Sequence, residues 1–279
     1  MEFTKTHGLG NDFIIVNGIK QDVVGIEKYA RKICDRHFGI GADGILLVLP
    51  SRMADVRMKI INSDGSEAMM CGNGIRCFAH YAYTRGIVTK TVIDVETPAG
   101  VKRAEILSTG IETMVKVDMG EYSMLKGDIP MLGSSEEEAI DFTISTEDNE
   151  FKAIAVSMGN PHCVIFVENV DEVPLERIGP VIENHPLFPN RTNVEFVEVL
   201  DEDHLKMRVW ERGAGITMAC GTGACACAVA ALKKGLGKRQ TKVFLPGGEL
   251  FIDIDDKKRV FMTGPVREVF NGRVDLSKL

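Results

Sequence analysis

Long apolar runs are missing from these 279 residues: Ile45-Leu46-Leu47-Val48-Leu49 falls far short of the roughly 20 residues needed to cross a bilayer. Met1-Glu2-Phe3-Thr4-Lys5 lacks the basic-then-apolar order of a secretory leader, so a cytoplasmic protein with no membrane partner is expected. Positive charge is also short, with 33 Lys and Arg against 40 Asp and Glu and a net charge of −7. With no dense basic stripe, a nucleic-acid surface is excluded and a small polar or zwitterionic partner fits better. The chain has no CxxC or HxxxH pair and no P-loop GxxxxGK[ST], so metal and nucleotide binding are weak readings. Gly8-Leu9-Gly10, Gly39-Ile40-Gly41 and Gly213-Ala214-Gly215 read as tight turns around a small site. Seven cysteines, an odd number scattered without secretory features, argue against a disulfide framework and for reduced thiols.

What the chain does contain is a copy of itself. Cys71-Gly72-Asn73-Gly74 and Cys220-Gly221-Thr222-Gly223 stand 220 − 71 = 149 residues apart, and Asn11 and Asn160, like Gly86 and Gly235, keep the same offset. Phe13 to Val16, Ile45 to Leu49 and Arg57 to Ile61 read as strands in the first half; Glu195 to Val199 and Leu205 to Trp210 do so in the second. Ile75, Phe78, Ala79 and Ala82 have the spacing of one helical face, stopped at Gly86. Ala224 to Leu232 is almost wholly small or apolar and predicts a helix buried all round. Turns at Pro98-Ala99-Gly100 and Pro246-Gly247-Gly248 close the two copies, which cover about residues 10–100 and 159–248. Two domains are therefore expected.

Most cysteines behave as small buried hydrophobes, and Cys34, Cys77, Cys163, Cys225 and Cys227 keep that reading. Zinc could use the Cys220-x4-Cys225 spacing, but at about 100° per residue Cys225 and Cys227 point to nearly opposite sides of a helix. Cys71 and Cys220 differ in preceding Gly-x-Gly and a helix N-terminus, where backbone N–H groups and the helix dipole favour a thiolate and are expected to lower its pKa. Inverting an amino-acid α-carbon calls for a base on one face and an acid on the other, roles that a thiolate and a thiol exchange. Helix N-termini aimed at the carboxylate would stabilise the growing enediolate, with no organic cofactor or metal required. The offset also shows where the copies part: Phe13 becomes His162, Gly44 becomes Asn193, and Asn62-Ser63 becomes Glu211-Arg212. An asymmetric rim of Asn62, Asn160, Asn193, Glu211 and Arg212 suits a substrate whose far end carries its own carboxylate and amine.

His7-Gly8-Leu9-Gly10-Asn11-Asp12-Phe13, Asn62 to Glu67, Met70 to Cys77, Ser157 to Cys163, Trp210 to Gly215 and Ala219 to Cys225 form six ordered motifs over nearly the whole chain. This set resembles the diaminopimelate epimerase family. The resemblance implies an α+β fold of two pseudo-symmetric domains, each a mixed, barrel-like sheet wrapped around a central helix, with halves at 1–120 and 121–263 and a tail, 264–279, packed on the first. It implies cofactor-independent conversion of L,L-diaminopimelate to the meso form, for lysine and cell-wall synthesis, by a homodimer. Cys71 and Cys220 would be the acid–base pair, with His162 and Glu211 adjusting their ionisation. Asn11, Asn62, Gly72, Asn73, Asn160, Asn193, Glu211, Arg212, Gly221 and Thr222 would contact substrate. Two positions depart from the pattern: Gly44 stands where some members carry glutamine, and Phe270 where some carry tyrosine. A proline or hydroxyproline racemase is the nearest alternative; there the first cysteine is followed by a pair resembling Gly-His rather than Gly72-Asn73. A degenerate binding protein is the alternative from another class.

Overall fold

The computed structural model describes residues 1–110, 112–146 and 149–278, which leaves Leu279 of the expected tail outside. They divide into two compact units, Met1–Asp118 with Thr263–Leu279, and Met119–Met262.

The first unit starts with β1 (Glu2–Gly8) and β2 (Asn11–Asn17), an antiparallel hairpin whose Gly8 and Asn11 pair across the two-residue turn Leu9-Gly10. Both turn residues are left-handed, φ 57° and 83°, the geometry a two-residue hairpin requires. After α1 (Ala30–Cys34), β3 (Gly44–Leu49) runs parallel to β2 and antiparallel to β4 (Val56–Asn62). A short β5 (Glu67–Ala68) precedes α2 (Gly72–Thr84). β6 (Val92–Thr97) then pairs in parallel with β4, and β7 (Gly100–Ser108) and β8 (Thr113–Glu121) follow antiparallel. The C-terminal strand pairs with both β1 and β8, joining the two ends of the strand run. Period-2 alternation explains how the sheet holds two helices. Ile14, Val16, Ile45, Leu47 and Ile61 pack toward Ala30 and Ile33 of α1, whereas Leu46 lies against the first turn of α2. α2 is buried from Gly72 through Ala82, wider than the single apolar face its spacing predicts.

The second unit repeats the plan. β9 (Phe142–Ser145), β10 (Glu150–Ser157) and β11 (Pro161–Phe166) are antiparallel neighbours. α3 (Leu175–Glu183) leads to β12 (Asn193–Asp201), parallel to β11, and β13 (His204–Glu211) returns antiparallel, followed by β14 (Gly215–Ile216). α4 (Gly221–Lys234) is buried without interruption from Gly223 through Ala231, the helix without a polar face that the composition of this stretch predicts. β15 (Gln240–Leu245), β16 (Gly248–Ile254) and β17 (Arg259–Arg273) complete the chain. Ile178, Ile182, Phe188, Phe196 and Trp210 form a core under α3.

The 149-residue offset is carried by the register itself. Phe13 pairs with Gly44 between β2 and β3, and His162 pairs with Asn193 between β11 and β12. Both helices stop on left-handed glycines, Gly86 (φ 64°) and Gly235 (φ 69°). This is an α+β fold in which the strands belong to one mixed sheet, and the part of it in each unit packs on that unit's own buried helix.

Candidate active site

Each buried helix begins at a cysteine. Cys71 is the N-cap of α2 and Cys220 that of α4, both in extended backbone, and each sulfur accepts from the N–H three residues on: Gly74 at 3.3 Å and Gly223 at 3.4 Å. The first N–H groups of a helix have no partner inside it, so a cysteine in this position occupies a ready anion site. The other five cysteines are buried, as structural residues should be, and burial raises Cys34 to about 11 and Cys77 to about 12.

In the first unit Asn11 opens β2 with its carbonyl toward Cys71 Sγ (3.6 Å) and Asn73 Nδ2 (3.2 Å). The other end of its amide donates to Asp43 Oδ2 at 2.7 Å, and because a carboxylate only accepts, this contact fixes which way Asn11 faces. Asp43 also accepts from the Asp12 N–H at 3.0 Å and from Arg36 at 2.7 Å. Asn62 ends β4 directly opposite Gly44, its amide donating to Ser66 Oγ at 2.9 Å. A Cβ on Gly44 would stand 2.8 Å from the Ile61 carbonyl, so any side chain here would need the β4 backbone to shift.

Asp12 anchors this network through Lys5 at 2.6 Å and Arg36 at 2.7 Å. Burial alone would raise its pKa, but the hydrogen bonds and charges of Arg36 and Lys5 outweigh it and bring the carboxyl to about 2. In the unfolded chain it titrates near 3.9, so the folded state binds this proton more weakly. The resulting stability is present above about pH 4 and is lost as pH falls through 2, a contribution of about 2 kcal/mol. In denaturant melts, the stability gap between the wild type and Asp12→Asn is expected to shrink by about that amount between pH 5 and pH 2; a constant gap would show that Asp12 does not carry the linkage.

In the second unit the rim is built around a histidine. His162, 0% exposed, sets Nδ1 at 2.7 Å from Glu195 Oε1 and Nε2 at 3.0 Å from Asn160 Oδ1. The Asn160 amide then donates to Thr222 Oγ1 at 3.3 Å, and Thr222 Oγ1 lies 3.6 Å from Cys220 Sγ. Glu211 accepts a hydrogen bond from Thr217, and burial raises its pKa. Asn193 is engaged at both ends, donating to the Pro161 carbonyl at 2.8 Å and accepting from the Arg212 N–H at 2.9 Å. It thereby braces the turn that presents Glu211 and Arg212. Glu183 braces the same turn, accepting from Gly213 N at 2.9 Å and Trp210 Nε1 at 2.7 Å. The Arg212 side chain is exposed, with Nη1 donating to the Asn190 carbonyl at 3.1 Å.

One expectation is corrected here. A helix N-terminus was expected to lower the pKa of both thiols, yet Cys220 is pushed well above its ordinary value. Burial is the largest cause and the charges of Glu211 and Glu195 add to it; the hydrogen bonds from Thr222 and Gly223 pull the other way without offsetting them. Fixed N–H dipoles do not compensate for desolvation beside two carboxylates. Cys220 therefore rests as a thiol.

Asp43, Glu183 and Glu195 were not singled out in the sequence. Glu195 could have been: it takes the place of Leu46 at the 149-residue offset, and a carboxylate in an apolar strand is out of pattern.

The family profile described as Diaminopimelate epimerase matches residues 3–125 and 154–269. Among curated proteins, the chain is 52% identical to the diaminopimelate epimerase of Acetivibrio thermocellus over 281 residues, covering 100% of both chains. It is 54% identical to that of Pelotomaculum thermopropionicum, covering 98% of each, and 49% identical to that of Methanococcus maripaludis, covering 99% of this chain and 100% of the other. Among solved structures, a hydroxyproline epimerase from Agrobacterium vitis superposes with a TM-score of 0.72 at 16% identity, covering 98% of this chain and 90% of that one. A phenazine biosynthesis protein of the PhzF family from Bacillus anthracis gives 0.71 at 18% identity over 99% of both. At that identity these two share the fold.

Proposed function

The chain belongs to the diaminopimelate epimerase family, and from that premise we propose that Cys71 and Cys220 are the acid–base pair with which it interconverts L,L- and meso-diaminopimelate. One thiolate takes the α-proton from one face of the carbon and the other thiol returns a proton to the opposite face; in the reverse direction they exchange roles. Charge that builds on the α-carboxylate in between is met by the N–H groups and dipoles at the heads of α2 and α4. The observation that carries this reading is the pair of N-capping cysteines, each with its sulfur on a Gly-x-Gly turn at the head of a buried helix.

In the direction in which Cys220 is the proton donor it enters as a thiol, the state that burial beside Glu211 and Glu195 favours. Glu211 and Glu195 raise the cost of the thiolate that donation leaves; a substrate ammonium paired with Glu211 would lower that cost, coupling binding to proton transfer. Asn11, Asn62, Gly72, Asn73, Asn160, Asn193, Arg212, Gly221 and Thr222 are proposed to hold the substrate, Arg212 as the fork for its distal carboxylate. A cytoplasmic homodimer is proposed as well. No helix among the described residues is long and apolar enough to cross a membrane, and the adjacent Val269 and Phe270 (54% and 47% exposed) are apolar surface of the kind a second copy covers.

Incubation with L,L-diaminopimelate in deuterium oxide is the test. Deuterium is expected first in the meso product, with little in recovered starting material, and proline is expected to give no exchange. Product that retains the substrate's own α-hydrogen would exclude two separate thiols, which cannot pass one proton from face to face.

A further inference from the structure

Glu195 has no counterpart in the first unit and no direct role in the proposed reaction, yet it is 0% exposed and its Oε2 has no hydrogen-bond partner among the described residues. A carboxylate is kept in such a place at considerable cost unless its charge is used. Its Oε1 accepts from His162 Nδ1 at 2.7 Å, so that nitrogen carries a hydrogen. Nε2 faces the Asn160 carbonyl at 3.0 Å and donates in turn. The Asn160 amide is thereby turned with its NH2 toward Thr222 Oγ1. A hydroxyl has a single hydrogen; since Thr222 accepts from Asn160, its hydrogen is free for Cys220 Sγ at 3.6 Å. Were the amide reversed, that hydrogen would go to the Asn160 carbonyl instead.

The offset-matched site is wired oppositely. There Asp43 takes the NH2 of Asn11 and leaves the carbonyl facing Cys71. The two matched asparagines are turned opposite ways, Asn11 with its carbonyl on Cys71 and Asn160 with its NH2 on Thr222, because an acceptor stands behind one and an imidazole N–H behind the other.

We propose that Glu195, acting through His162 and Asn160, directs the Thr222 hydroxyl at Cys220 Sγ and is a positioning residue for proton transfer at that thiol. The proposal rests on Cys220 being one of the two acid–base thiols. Around the chain stand Glu211, Cys163, Cys220 and Cys227, each titratable; of these, Glu211 also acts on the Cys220 charge. The Thr222 hydrogen and the Gly223 N–H are the donors that meet the thiolate when it forms.

A double-mutant cycle tests it. Glu195→Gln offers Nδ1 either an oxygen or an NH2, so the ring is no longer held with both nitrogens as donors. It is expected to lower kcat by about 10- to 100-fold with KM changed less than about threefold, since Arg212 and the rest of the rim outside this chain keep their places. Thr222→Val is expected to lower kcat similarly, and Thr222→Ser to restore most of it. In the Thr222→Val background, Glu195→Gln is expected to cost less than about threefold more, because the hydroxyl it directs is already gone. Equal losses in both backgrounds, or equal kcat for Thr222→Val and Thr222→Ser, would overturn the proposal. If Glu195→Gln does not fold, His162→Gln interrupts the same chain one link on and takes its place in the cycle with the same reading. Cys220→Ala, assayed alongside, separates the two ideas: full turnover there defeats the two-thiol reading whatever the cycle gives.

Discussion

Replacing either Cys71 or Cys220 by alanine is expected to lower the rate of epimerisation by about 10⁴-fold, the upper end of what a positioned acid or base supplies. The loss should fall on kcat, since neither sulfur is needed to hold the distal end of the substrate. Each variant keeps one thiol, so slow exchange of the α-hydrogen with deuterium oxide is expected to survive without inversion, from one stereoisomer with Cys71→Ala and from the other with Cys220→Ala. Because each sulfur also caps its helix, alanine removes a bond from Gly74 or Gly223, a loss of about 1 kcal/mol. Serine keeps the cap and lacks an accessible anion, so Cys71→Ser and Cys220→Ser should melt near the wild-type temperature and be as inactive as the alanine variants. Appreciable epimerisation by any of the four, measured by circular dichroism of the product or by coupled oxidation of the meso form, would end the two-thiol reading.

The second large effect is expected at Gly223. A Cβ there would stand 2.8 Å from Glu195 Oε1 and 3.3 Å from both Cβ and Sγ of Cys220. Glu195 cannot withdraw without breaking its bond to His162, so the thiol, the carboxylate or the helix must move by several tenths of an ångström. Misplacement on that scale is enough to cost about 10²-fold in kcat. Gly74 is the matched position and gives the control: its Cβ would meet Cys71 at 3.3 and 3.5 Å and the end of the Leu46 side chain at 3.5 Å, all ordinary or nearly ordinary contacts. Gly74→Ala is therefore expected to lose less than about tenfold. In both, alanine's better helix propensity, worth up to about 1 kcal/mol, offsets strain in the melting temperature, so stability should change less than activity. Similar kcat for Gly223→Ala and Gly74→Ala would mean that Glu195 is not held where its bond to His162 places it.

The difference between these two glycines marks the border of what the sequence could say. The repeat, the cysteine before each helix and the helix stops at Gly86 and Gly235 were all legible, because each depends on local chain geometry: a glycine reaches left-handed φ cheaply, and a thiol before Gly-x-Gly meets the N–H three residues on. The strands too were legible from their apolar runs, down to Phe13 and His162 as matched positions. Membership of the diaminopimelate epimerase family was legible for a related reason, since six motifs keep their order along the chain.

What the linear pattern could not give is the electrostatics of each half, because that depends on which groups packing brings together and how much water it removes. The dipole at the head of α4 is local and argued for a thiolate; burial outweighs it, and Glu211 and Glu195, arriving from other strands, add to burial, so Cys220 rests as a thiol. Asn11 and Asn160 are the same residue at the same point of the repeat. Only the tertiary structure, by placing Asp43 behind one and His162 with Glu195 behind the other, decided that Asn11 turns its carbonyl to Cys71 while Asn160 turns its NH2 to Thr222.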